Sequence, residues 1–155
     1  MEQWRVNPVV KTQMLIRKPV DTVFEAFIDP DVTTKFWFTK SSGRLQAGTT
    51  VRWDWEMYGV SDILKVKEME ENNRFRIEWS DRTETEWIFI PIEESGTLVT
   101  ITSFGFTGNN EEIISRAIDD MGGYTMVLCG LKAWLEHGIE LNLVADKAPD
   151  DNVAR

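Results

Sequence analysis

The residue types that carry chemistry are sparse in this chain. It has one histidine, His137, and one cysteine, Cys129. Nucleophilic catalysis needs a nucleophile with a base in reach. These two lie eight positions apart on a predicted helix, about 12 Å along its axis, too far to act as a pair. His137 stands between Glu136 and Gly138, where an imidazole complements the negative end of the helix dipole. Cys129 falls beside the apolar stripe of the same helix and reads as a small buried hydrophobe. Paired carboxylates are the remaining option for acid–base work. Asp54 and Glu56 share one strand face, with Glu78 on a strand nearby, but their alternation with Trp53 and Trp55 turns them outward if the indoles point in. The acidic runs at Glu68, Glu70, Glu71 and at Asp150-Asp151 read as solvated surface rather than a metal cage. Gly105-Phe106-Thr107-Gly108 reads as a turn, not a phosphate cradle. The residues thus nominate no catalytic group, no metal ligand and no cofactor, and lean against an enzyme.

The aromatic residues stand above background. Seven Trp and eight Phe in 155 residues either fill a core or line a ligand cavity. Seventeen Lys and Arg against twenty-six Asp and Glu leave a net charge of -9, which repels phosphate backbones and anionic lipid. Nucleic-acid and membrane-surface partners are therefore not expected. No apolar run approaches the roughly 20 residues of a spanning helix. A lone cysteine allows no internal disulfide, so a reducing cytoplasm is the expected compartment.

The elements that must position the aromatics follow from period and punctuation. Val9 to Arg17 alternates as a first strand. Pro19 opens a helix whose apolar face is Val20, Val23, Phe24, Phe27 and Ile28, and Pro30 stops it. A second short helical turn covers Val32 to Trp37. From Gly43 the period changes to two. Strands are predicted at Val51 to Met57, Val60 to Met69, Phe75 to Trp79, Thr83 to Ile92 and Thr97 to Phe106, joined by turn residues as an antiparallel meander. Trp87-Ile88-Phe89-Ile90 is apolar on both faces, so its inward side stays open. Asn109 with Glu112 forms a capping box. The long helix it starts repeats Ile114, Met121, Leu128 and Leu135 every seven residues, with Ala117, Tyr124 and Leu131 between them, predicting one stripe facing a core throughout. Gly122-Gly123 interrupts that stripe, each glycine at about 1 kcal/mol relative to Ala, and Gly138 ends the helix. One helix laid on a curved sheet leaves a space at the far end of the groove.

The order and spacing of several segments resemble the START/Bet v 1-like helix-grip (SRPBCC) superfamily, and within it bacterial single-domain proteins similar to the activator of Hsp90 ATPase. These segments are Pro19 to Phe27 with Asp29-Pro30, then Phe36-Trp37-Phe38, then Gly43 to Gly48 before Trp53-Asp54-Trp55, and Gly96 to Thr102 running into Gly105-Phe106. The resemblance implies an α+β helix-grip fold: a curved six-stranded antiparallel sheet around a long C-terminal helix, with two short helices after the first strand. Residues 1–146 are expected to form that one domain, and residues 147–155, with Pro149, Asp150, Asp151 and Asn152, read as a flexible acidic tail. The cavity lining expected from the resemblance is Trp37, Trp53, Trp55, Phe75 and Trp79, with Trp87, Phe89 and Ile101 from the later strands. Tyr124, Leu128 and Leu131 face them from the helix. Where the family often has Trp after a helical glycine this chain has Tyr124, and where it often has His late in the last strand it has Ser103. Those two are the expected hydrogen-bonding handles. The function so implied is non-catalytic binding of a small hydrophobic or aromatic molecule. The alternatives are a stress-response interaction module with a chaperone partner, and, behind it, a cyclase- or aromatase-type enzyme.

Overall fold

The structure is a computed structural model that describes residues 4–149. Its spine is a single antiparallel sheet. The strands are β1 (Val10–Ile16), β2 (Lys40–Ser41), β3 (Thr50–Trp55), β4 (Val60–Glu70), β5 (Arg74–Glu78), β6 (Glu84–Ile92) and β7 (Gly96–Phe104). They lie in the order β1-β7-β6-β5-β4-β3-β2. From β2 to β7 neighbours in sequence are neighbours in space, while β1 pairs with β7, Val10 opposite Ser103 and Ile16 opposite Thr97. The sheet therefore has seven strands rather than the expected six. The addition is β2, whose two residues pair with Asp54 and Trp53 of β3 and are too few for alternation to register. The strand predicted as far as Met57 ends at Trp55, and Glu56–Tyr58 winds into a 3-10 turn closed by Gly59 at φ 61°.

Helix α1 (Val20–Ile28) buries Val23, Phe24, Ala26, Phe27 and Ile28, the face its spacing foretells. Asp29 ends it and caps α2 (Pro30–Thr33), its carboxylate accepting from the Asp31 N–H at 3.0 Å. Pro30 thus both stops one helix and occupies the first turn of the next, where its missing N–H costs nothing. Buried Thr33 welds the pair by donating its hydroxyl to the carbonyls of Ala26 (2.6 Å) and Asp29 (3.0 Å). Phe24 and Phe27 press edge-on or tilted against Phe75, Trp87 and Phe89, and Phe75 stacks on Trp87 at 4.5 Å. This settles the open side of β6: Trp87 and Phe89 face the core, while Ile90 and Ile92 lie outside. On the outer face Arg74 bridges Glu68 and Glu86, and Arg76 bridges Glu68 and Glu84, which accounts for the polar half of the alternation.

Helix α3 (Asn110–His137) runs 28 residues. The capping box forms, with Asn109 accepting from the Glu112 N–H at 2.9 Å and Glu112 accepting from the Asn109 N–H at 3.3 Å. Gly138 closes the helix at φ 65°, and His137 sits in the last turn. The helix continues unbroken through Gly122-Gly123. Its buried stripe is Ile113, Ala117, Tyr124, Val127, Leu128 and Leu131. The heptad reading therefore fails in the first half, where Ile114 and Met121 are exposed. A straight helix drifts about 20° per seven residues, so a strict seven-residue repeat cannot stay on one face. Cys129 is exposed rather than buried. A short α4 (Leu143–Lys147) follows, fastened by the Tyr58 hydroxyl, which donates to the Val144 carbonyl. The predicted tail thus begins inside a helix at Lys147, and its residues 150–155 lie outside the described residues. No described helix is long and apolar enough to cross a membrane.

Candidate functional site

Where α3 passes the ends of β3 and β4 and the β5–β6 turn, a pocket of about 290 Å³ opens. One wall is aromatic. Trp37 comes from the segment after α2, Trp55 ends β3, and Trp79 follows β5. Their ring centroids stand 6.2 to 6.4 Å apart. Tyr124 closes this wall from α3, 6.0 Å from Trp37. The rest of the lining includes a polar set, Asp62 on β4, Asp81 and Thr83 in the β5–β6 turn, and Arg116, Asp119 and Asp120 on α3, together with apolar Met126, Val127 and Val144. The α3 contributors Arg116, Asp119, Asp120, Gly123, Tyr124, Met126 and Val127 recur with helical spacing, so one helix face supplies them all.

A chain of hydroxyls lies behind the aromatic wall. Thr85 is the hub: Trp79 Nε1 donates to its Oγ1 at 2.9 Å, and that oxygen also meets the Tyr124 hydroxyl at 3.0 Å and Ser103 Oγ at 3.1 Å. Ser103 in turn donates to Asp120 Oδ2 at 3.2 Å. Each hydroxyl has one hydrogen, which fixes the direction when Asp120 is ionised. Ser103 donates to Asp120, Thr85 to Ser103, and Tyr124 to Thr85. The hydrogens of Trp79 and Tyr124 are thus spent inside the protein. That of Thr83 is spent on Asp81 at 2.6 Å.

The acids differ in their environments. Burial pushes the Asp120 carboxyl above its ordinary range, and nearby Asp81 and Asp119 add to this against the opposing Ser103 bond and Arg116. Burial also works upward on Asp81, but two hydrogen bonds from Thr83 and its ion pair with Arg116 outweigh it and hold that carboxyl low. Burial drives the Tyr124 phenol well above its usual range, so it is neither a base nor a ready acid. No group of three or more His, Cys, Asp or Glu among the described residues is placed to hold a metal ion.

Of the residues nominated from sequence, Trp37, Trp55, Trp79 and Tyr124 come together on the pocket wall. The others stand elsewhere. Trp53, Phe75, Trp87 and Phe89 are sealed in the core, as are Ile101, Leu128 and Leu131. The physical reason is packing on the concave face: the α1 phenylalanines lie against Phe75, Trp87 and Phe89, and Phe38 stacks on Trp53 at 4.5 Å. Ser103 is buried behind the wall and reaches the pocket through its bonds to Thr85 and Asp120. Asp54 and Glu56 take no part in it: Asp54 pairs with Arg52, and Glu56 stands exposed in the 3-10 turn. Sequence reading missed the acids of the pocket. For Asp119 and Asp120 the signal was the α3 spacing from Arg116 through Asp120 to Tyr124; Asp62 and Asp81 lie on other elements, and only the fold brings them to the pocket.

The model of the family described as Activator of Hsp90 ATPase homolog 1-like protein matches residues 17–136. Among solved structures, a Staphylococcus saprophyticus protein is 30% identical with a TM-score of 0.77, covering 86% of this chain and 96% of its own. A protein from the dynemicin biosynthetic locus is 21% identical with a TM-score of 0.74, covering 85% of this chain and 48% of that one. The Aha1 dimer from Colwellia psychrerythraea is 18% identical with a TM-score of 0.71, covering 84% and 98%. Curated proteins give no match. With a matched segment that takes in α1, six of the seven strands and nearly all of α3, the chain belongs to the family of activator of Hsp90 ATPase homolog 1-like proteins and has its helix-grip fold.

Proposed function

We propose that the protein binds a small aromatic or apolar molecule in the α3 pocket without transforming it. The observation that carries this reading is the aromatic wall: Trp37, Trp55 and Trp79 are only half-buried and line the one end of the concave face that α1 leaves unfilled. At about 290 Å³ the space suits a ligand of one or two rings, at the small end of ordinary ligand pockets. Catalysis is disfavoured by the same groups. The Tyr124 phenol is held protonated, and the buried Ser103 hydroxyl has no imidazole beside it to make it a nucleophile.

The test is a library of one- and two-ring compounds, read by tryptophan fluorescence and thermal shift. Binders should quench the emission and raise Tm. Tyr124→Phe keeps the ring and deletes the hydroxyl, so binding of ring compounds should persist with an affinity change of less than about tenfold, one net hydrogen bond. A library without a single binder would defeat the proposal.

A second reading has its own observation. Ile114, Ile118 and Met121 are 45%, 67% and 42% exposed at helical spacing on the face of α3 turned from the core. Such a row suits a protein partner, and the family name points to a chaperone. On that reading an Hsp90-type chaperone binds the wild-type protein and loses Ile118→Glu, while ring compounds bind the two alike.

A further inference from the structure

The pocket's lining fixes the charge of what it should hold. Four carboxylates line it, Asp62, Asp81, Asp119 and Asp120, against a single guanidinium, Arg116. That guanidinium is already engaged, paired with Asp81 and lying 5.6 Å over the Phe106 ring. Asp62, Asp119 and Asp120 have no such cationic partner among the described ion pairs. With Asp120 ionised, the hydrogens of Trp79 and Tyr124 are engaged by Thr85 and that of Thr83 by Asp81, so these side chains offer an incoming molecule lone pairs and ring faces or edges rather than donors. Three indole centroids 6.2 to 6.4 Å apart allow one cation to lie within about 6 Å of all three, the reach of a cation–π contact.

From the juxtaposition of this indole wall with unpaired carboxylates we infer that the ligand is an organic cation, an aromatic amine salt or quaternary ammonium, rather than a neutral or acidic ring compound. The inference rests on the binding reading above and adds the ligand's charge. The whole-chain charge of -9 acts in the same direction, drawing cations to the surface at low salt. Burial has already raised the Asp120 carboxyl. A cation seated beside it reverses that shift, so binding releases a proton over the pH range in which Asp120 titrates.

Three probes built on one benzyl group decide the matter: benzyltrimethylammonium, its uncharged isostere neopentylbenzene, and the anion phenylacetate. The cation should bind at least tenfold more tightly than the isostere and weaken as salt rises. Asp120→Asn should cut that preference severalfold, chiefly by weakening the cation. In acidic buffer, calorimetry in two buffers of different ionisation enthalpy should show proton release with the cation alone. Equal or tighter binding of neopentylbenzene or phenylacetate would overturn the charge assignment and leave the binding reading standing. If none of the three perturbs the tryptophans, the two ions at millimolar concentration and neopentylbenzene at its solubility limit, both fall.

Discussion

At the residue scale the two acids flanking Arg116 pull stability in opposite directions with pH. The folded protein holds a proton on Asp120 more tightly than the unfolded chain does, because burial disfavours its charge. Its contribution is therefore fully present below the unfolded carboxyl value, about 3.9, and is lost as pH rises through the higher folded value. Asp81, held low chiefly by Thr83 and Arg116 against burial, contributes above the unfolded value and loses that contribution as pH falls through its lower folded one. Asp120→Asn keeps an oxygen for Ser103 and cannot ionise. It should raise the denaturation midpoint at pH 7, with the gain fading towards pH 4, whereas Asp81→Asn should lower the midpoint at pH 7. Midpoints of both variants across pH 3–8 check this, and parallel curves would contradict it. Such pairings were not legible in the sequence. Asp81 and Arg116 are joined across 35 positions, and only the fold makes one residue's charge the other's partner.

At the scale of elements, the strands and helices were legible wherever the solvent-facing and core-facing periods were clean. Arg74, Arg76 and Glu78 alternating with Phe75 and Ile77 gave β5 directly, and the Asn109–Glu112 box gave the start of α3. Ambiguity persisted where both faces of a strand were apolar. Ile88 and Ile90 could not be told from Trp87 and Phe89 until α1 was seen to cover one side. The glycines of α3 show why local pattern falls short. Gly123 lines the pocket, and a Cβ there would meet nothing within 4 Å. Gly123→Ala should therefore stabilise the protein by about 0.5–1 kcal/mol through helix propensity while shrinking the pocket and weakening its ligand. Gly130 is the reverse case. A Cβ there would lie 3.1 Å from Phe36 Cβ and 3.2 Å from its carbonyl oxygen, atoms tied to the main chain that cannot swing aside. Crowding of this kind costs about 1–3 kcal/mol, so Gly130→Ala should be net destabilising despite the better helix former. Chemical denaturation of the two variants separates a glycine kept for space in the pocket from one kept for close packing.

At the scale of the molecule, the concave face of the sheet is shared. Helix α1 with its phenylalanines closes one part, and α3 covers the rest except where Trp37, Trp55, Trp79 and Tyr124 meet the acidic lining. The sequence left core and cavity undivided among the aromatic residues, because it holds no measure of how deeply α1 seats. The central claim is that this remaining opening, and not the sealed core or the outer face of α3, receives a ligand. The most direct test is to assign the indole N–H resonances of the labelled protein and titrate in a ring compound. The account predicts that Trp37, Trp55 and Trp79 shift together and saturably, with Trp53 and Trp87, 1% and 0% exposed, moving far less. Shifts confined to the amides of Ile114, Ile118 and Met121, with the three pocket indoles unmoved, would contradict it.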